Sequence, residues 1–297
     1  MVKNKKDEEV RVVFRGSYSD TPENCDIIIP EGIEEIAENA FRDFENLRSV
    51  TLPRSLKRIS ACAFAGCKSL SKLNIPFGTT EILDEAFSSC PSLREVILPD
   101  SVVRLGEGCF EGCATLTRVR LSEAIYMIGA SAFAFCFNLT HITIPDSCAL
   151  VEFGAFSGCF SLESVKLSDN MGLIDESTFE GCRSLKNVDL PTKLVKIGRR
   201  AFKGCSSLNN IILPINVRII GFDAFADCVS LERIALPKDL SELEDGDVFL
   251  GCDALESISF GGSKSAWERI MRGKVLTVMK TDTSAATPVV TFMNLDK

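Results

Sequence analysis

The 297-residue sequence holds one histidine, His141, and thirteen cysteines. Nucleophilic or metal chemistry would depend on those side chains. A single histidine excludes multi-histidine metal sites and makes any imidazole catalysis rest on one residue. Cys136 and Cys159 flank it and supply the residue types of a thiol–imidazole nucleophile. Alternation, however, turns Ile142 inward and His141 outward, while both cysteines belong to a series that points into a core. His141 therefore reads as a surface histidine. Cys109 and Cys113, four apart, could serve a metal, but no Cys-x-x-Cys pair or second cluster supplies further ligands. Alanine takes the place of Cys109 in most repeats, so both read as core. Gly106-x-Gly108-x-x-x-Gly112 has the wrong last spacing for a dinucleotide loop. The expectation is no catalytic residue, no metal and no cofactor.

Two other groups suit recognition. Arg118, Arg120, His141 and Lys166 take outward positions on three successive strands and form a basic strip in an acidic protein. A strand spacing of about 4.8 Å would bring them within reach of one anionic ligand or acidic partner loop; the plainer alternative is a solvated face of mixed charge. The second group is aromatic. Phe135 replaces a small residue, and Phe137 and Phe160 stand where other repeats carry Lys68, Arg183, Ser206 or Asp253. Close together, they make either an exposed partner-binding patch or packing between repeats.

The elements that position these groups follow from a period. Phenylalanine recurs every 23 residues from Phe41 to Phe225, and Phe249 closes the series after 24. Such a period means one supersecondary unit stacked on copies of itself. In residues 185–207, Leu185, Val188 and Leu190 give a short strand with inward alternation. Pro191 stops the ladder because it has no amide hydrogen. Leu194 and Ile197 form a second apolar pair, Gly198 permits a turn, and Ala201, Phe202 and Cys205 suit one short helical turn. Burial of each large apolar side chain contributes roughly 1.5–3 kcal/mol before entropy is subtracted, so a lone unit cannot fold and the core belongs to the stack.

Nine cysteines, from Cys67 to Cys252, share one repeat position, which Phe44 fills in the first unit. They read as small buried hydrophobes in a reducing or anaerobic setting. A net charge of −8 opposes nucleic-acid or anionic-membrane binding. No apolar stretch nears the roughly 18–20 residues of a membrane span, and the charged start lacks the apolar region of a signal peptide.

Both ends read as caps. Val10–Arg15 is an expected strand, and Ile27–Pro30 closes an incomplete repeat. At the back, Ser265–Glu268 reads as a capping box before a short helix bearing Trp267, Ile270 and Met271, ended by Gly273. Val275–Met279 and Pro288–Phe292 are candidate strands, and Met1–Glu8 a disordered tail.

The pattern Leu-x-x-Val-x-Leu-Pro-x-x-Leu-x-x-Ile-Gly-x-x-Ala-Phe-x-Gly-Cys resembles the BspA-type leucine-rich repeat over about residues 25–260. Phe260-Gly-Gly-Ser-Lys-Ser-Ala-Trp267 is similar to the segment that closes such arrays. The resemblance implies an α/β fold: a right-handed leucine-rich-repeat solenoid of about ten coils, a parallel β-sheet on its concave face, short helical turns elsewhere and caps at both ends. The expected divisions are 1–8, a tail; 9–30, an N-terminal cap; 31–260, the solenoid; and 261–297, a C-terminal cap. Such proteins are commonly surface or secreted binding proteins of anaerobic bacteria and some protists, and the family brings no catalytic residues. The expected function is non-enzymatic recognition of a protein or other macromolecule through the sheet, by a monomer, with homo-oligomer formation open. The alternatives are a spacer or self-associating module without a ligand and, from a different class, an effector or enzyme fragment.

Overall fold

The computed structural model describes residues 13–14, 25–244, 246–274, 276, 278 and 288–292. Each 23-residue unit makes one coil with three sides. On the first side, inward Leu and Val residues such as Leu162, Val165 and Leu167 are buried, and the residues between them form Ser164–Lys166. Equivalent strands pair in parallel one period apart, so His141 faces Ser164 and Thr143 faces Lys166. Where serine replaces the strand-ending proline, the hydroxyl does the turning: Ser122 and Ser168 accept from the amides of Ala124 and Asn170.

This first sheet is not one unbroken ladder. Its strands pair in four groups: Cys25–Ile28 to Lys72–Asn74; Glu95–Ile97 with Arg118–Arg120; His141–Thr143 to Asn187–Asp189; and Asn210–Ile212 to Val289–Phe292. The second side carries two-residue strands around the expected Leu-x-x-Ile pairs. They pair in parallel from Val13–Phe14 to Leu150–Val151, and again from Leu173–Ile174 to Glu242–Leu243.

The third side corrects an expectation. The short helical turn around Ala201, Phe202 and Cys205 is a run of tight turns instead. Residues two before and two after each column phenylalanine from Phe41 to Phe225 are left-handed, such as Cys62 at φ 53° and Gly66 at φ 73°. Alternating handedness turns every second amide along the stack. Cys62, Phe64 and Gly66 accordingly donate to Asp84, Ala86 and Ser88 of the next coil at 2.8–2.9 Å. All three sides are thereby stitched coil to coil by backbone hydrogen bonds. Only the last coil differs among the described residues, with a short 3-10 helix at Gly246–Phe249.

The core is a column of rings. Phe41 to Phe249 stack with centroids 4.8–5.9 Å apart and planes within 17°. Beside them, each of the nine ladder thiols donates to a phenylalanine carbonyl of the preceding coil, as Cys90 does to Phe64 at 3.2 Å. The position thus uses the S–H as a weak donor as well as a filler. All thirteen cysteines are free. Gly198 corrects a second expectation: its φ is ordinary, but a Cβ there would lie 2.7 Å from the backbone of Asp175. Close coil-to-coil approach, not turn geometry, requires the glycine.

At the C-terminal end, helix Lys264–Ile270 buries Trp267 and Ile270, and Trp267 packs on Phe260. Its N-cap is Ser263, whose hydroxyl accepts from the Ala266 amide, rather than the expected Ser265. Gly273 is left-handed, at φ 74°. Val289–Phe292 pairs in parallel with Ser257–Phe260. Leu276 and Val278 carry no strand, and the remainder of the expected strand at Val275–Met279 lies outside the described residues, as do Met1–Glu8 and most of Val10–Arg15.

Candidate functional site

The expected basic strip stands on the first sheet, every member exposed. Its cations do not converge. Arg118 leans back one coil to Glu95 at 3.0 Å, and Arg120 reaches Asp100 at 3.5 Å. His141 leans the other way, its Nδ1 2.8 Å from Ser164 Oγ. Lys166 makes no ion pair among the described residues. The sequence already carried two of these neighbours, since Glu95 stands one period before Arg118 and Ser164 one period after His141. Asp100 is offset from Arg120 and gave no such signal.

Leaning apart opens the surface. Arg118–Arg120 and His141–Thr143 are adjacent but unpaired in the ladder, and a shallow depression of about 540 Å³ lies over that seam. Its walls include Thr117, Thr140 and Thr143, its floor Val119 and Ile142, and Glu123 sits at its rim. A second depression of about 410 Å³ reaches another break, between Lys72–Asn74 and Glu95–Ile97. Interrupted pairing and surface relief coincide at these two of the three breaks. The first combines hydroxyls, an imidazole and two guanidiniums over an apolar floor, which suits contact with a polar macromolecular surface.

His141 does not meet a thiol. Cys136 and Cys159 point inward and donate to Phe110 and Phe133. Burial pushes the Cys159 thiol up to about 12, opposite to an activated nucleophile. Cys109 and Cys113 are buried likewise; burial raises the first and takes the second to about 12. Elsewhere on this face, five coils before His141, hydrogen bonds from Arg48 and Ser49 hold the Asp26 carboxyl down at about 2.

The aromatic group does assemble. Phe135 meets Phe137 edge-on at 6.3 Å, Phe137 stacks on Phe160 at 4.9 Å, and Arg183 covers Phe160 at 4.6 Å. Phe135 is left-handed at φ 59°, where equivalent positions hold Gly112 and Gly158, and its ring occupies the space beside Gly158. The three rings remain 36–45% exposed. They lie on the turn side, away from the depression.

The BspA type leucine-rich repeat region matches in six copies over residues 14–140 and 150–269. The chain belongs to that family. Among solved structures, a leucine-rich repeat protein from Bacteroides ovatus is similar at 26% identity and TM-score 0.51, over 86% of this chain and 83% of that one. A leucine-rich cell surface protein from Faecalibacterium prausnitzii is 24% identical, over 84% and 91%, with TM-score 0.44. The pneumococcal vaccine antigen PcpA is 19% identical, over 88% and 90%, with TM-score 0.47. No curated protein matches the sequence. Among the described residues, no helix is long and apolar enough to cross a membrane.

Proposed function

We propose that this family member is a non-enzymatic recognition protein that holds a protein or other macromolecule against its first sheet, centred on the depression between Arg118–Arg120 and His141–Thr143. The observation that carries the reading is the coincidence of the larger depression with the sequence's basic strip and a break in the ladder. Exposed threonines and His141 there offer donors and acceptors, and Lys166, with no ion pair among the described residues, offers charge. Family membership and thirteen unpaired thiols support a cell-surface location in a reducing or anaerobic setting.

The test replaces Arg118, Arg120 and Lys166 together by glutamate and compares capture of partner by immobilised wild-type and variant chains. These side chains are exposed, so the variant's melting curve is expected to match wild type. Capture is expected to disappear with the charge reversal and to persist in a control carrying Lys68→Glu and Arg183→Glu on the turn side. Equal capture by all three chains would sink the assignment.

A further inference from the structure

The second sheet carries a column that is aliphatic, aromatic or glycine for five successive coils: Val103, Tyr126, Ala149, Gly172 and Val195. On either side of that run the position holds Lys57, Thr80 and Arg218. Beside the column, Met127, Leu150 and Leu173 are half-buried. Tyr126 is the most prominent member, 60% exposed.

Gly172 is the anomaly. Its φ lies outside the left-handed region, and a Cβ would meet nothing closer than the Lys193 carbonyl at 3.9 Å. Neither backbone conformation nor packing asks for glycine, and its absent side chain leaves a notch. The backbone is open at the same place. Amides of this column donate to the preceding coil at Thr80, Val103, Tyr126, Ala149 and Val195, at 2.8–3.1 Å. The one missing rung in that run is Gly172 N–H to Ala149 C=O.

A two-fold axis lying in the plane of contact and crossing the coil of Ala149 and Leu150 makes this surface complementary to itself. With the two stacks antiparallel, each coil before the axis meets the coil equally far behind it. Tyr126 then covers Gly172 of the second copy, Val103 covers Val195, and Met127 covers Leu173. The Tyr126 hydroxyl can donate to the open Ala149 carbonyl. At the rim, Glu107, with no ion pair among the described residues, faces Arg199. Arg104 faces Lys196, and Glu244 already binds both Arg199 and Lys196, at 2.8 and 3.4 Å, which offsets that like-charge contact.

We infer that this face of the second sheet is a self-association surface whose occupant is an antiparallel second copy of the chain. It stands apart from the depression on the first sheet, so either surface can fail its test without the other. Light scattering across a concentration series on the full chain is expected to show a species of twice 32.5 kDa. Tyr126→Ala and Gly172→Arg, which remove the knob and fill the notch, are each expected to weaken the dimer at least about tenfold with unchanged melting curves. Ala149→Cys, on the axis, is expected to give a covalent dimer on mild oxidation, whereas Ser241→Cys is not. A wild-type chain that stays monomeric overturns the inference. So does a dimer indifferent to both substitutions, as would one weakened only by Phe137→Ser with Phe160→Ser.

Discussion

Removing one ring from the middle of the aromatic column is the sharpest test of the stacking. Phe156 is fully buried and sits between Phe133 at 5.5 Å and Phe179 at 5.8 Å. Truncation to alanine loses the transfer free energy of the ring and leaves a cavity that the coils cannot close, because backbone bonds on all three sides fix their spacing. The expected cost is about 3–5 kcal/mol. Phe249 is equally buried but stacks on a single described ring, Phe225, at 5.9 Å. Since an aromatic pair adds about 0.5–1.5 kcal/mol beyond burial, Phe249→Ala is expected to cost about 1 kcal/mol less than Phe156→Ala. Urea unfolding followed by circular dichroism reads both, provided the slope with denaturant is unchanged. A loss under about 1 kcal/mol at Phe156, or a larger loss at Phe249, would refute the reasoning.

The thiol ladder gives an expectation in alkali. Burial raises Cys113, Cys159 and Cys252 from the ordinary 9.0 to about 12, so above pH 9 the unfolded chain loses protons that the folded chain keeps. Stability is therefore expected to hold below about pH 8.5 and to fall as pH rises from there toward 12, each thiol contributing up to about 1.4 kcal/mol per pH unit; a flat profile from pH 8 to 11 would contradict the burial. In the native chain at pH 8, a thiol reagent is expected to label Cys25 and Cys62, the two half-buried cysteines, and to reach the ladder only on unfolding. Gly198→Ala should cost about 1–3 kcal/mol through overpacking against Asp175, whereas Gly172→Ala should stay within about 0.5 kcal/mol; equal melting shifts would remove the distinction between the two glycines.

The stack was legible because its signal is periodic: Phe41 to Phe225 repeat without a slip, and the ring and thiol columns follow by superposition. The turn side was misread for a definite reason. Ala201 and Cys205 have the spacing of one helical face, and nothing local distinguishes a helical turn from alternating left- and right-handed residues unless the inter-coil bonds made by Phe202 and Gly204 are counted. Gly198 was misread because a tight turn and a close approach both select glycine. The basic strip was correctly placed on the sheet, but outward position says nothing of lean: Arg118 turns to Glu95 and His141 to Ser164, and the depression exists between them. The breaks in the ladder leave no mark in the composition of the strands they separate.

Amide hydrogen exchange of the chain with and without captured partner tests the recognition surface most directly. Slowed exchange at Thr117–Arg120 and Thr140–Thr143, with Phe135–Phe137 and Gly158–Phe160 unaltered, is the expected result. Slowing confined to those turn segments would contradict recognition by the first sheet.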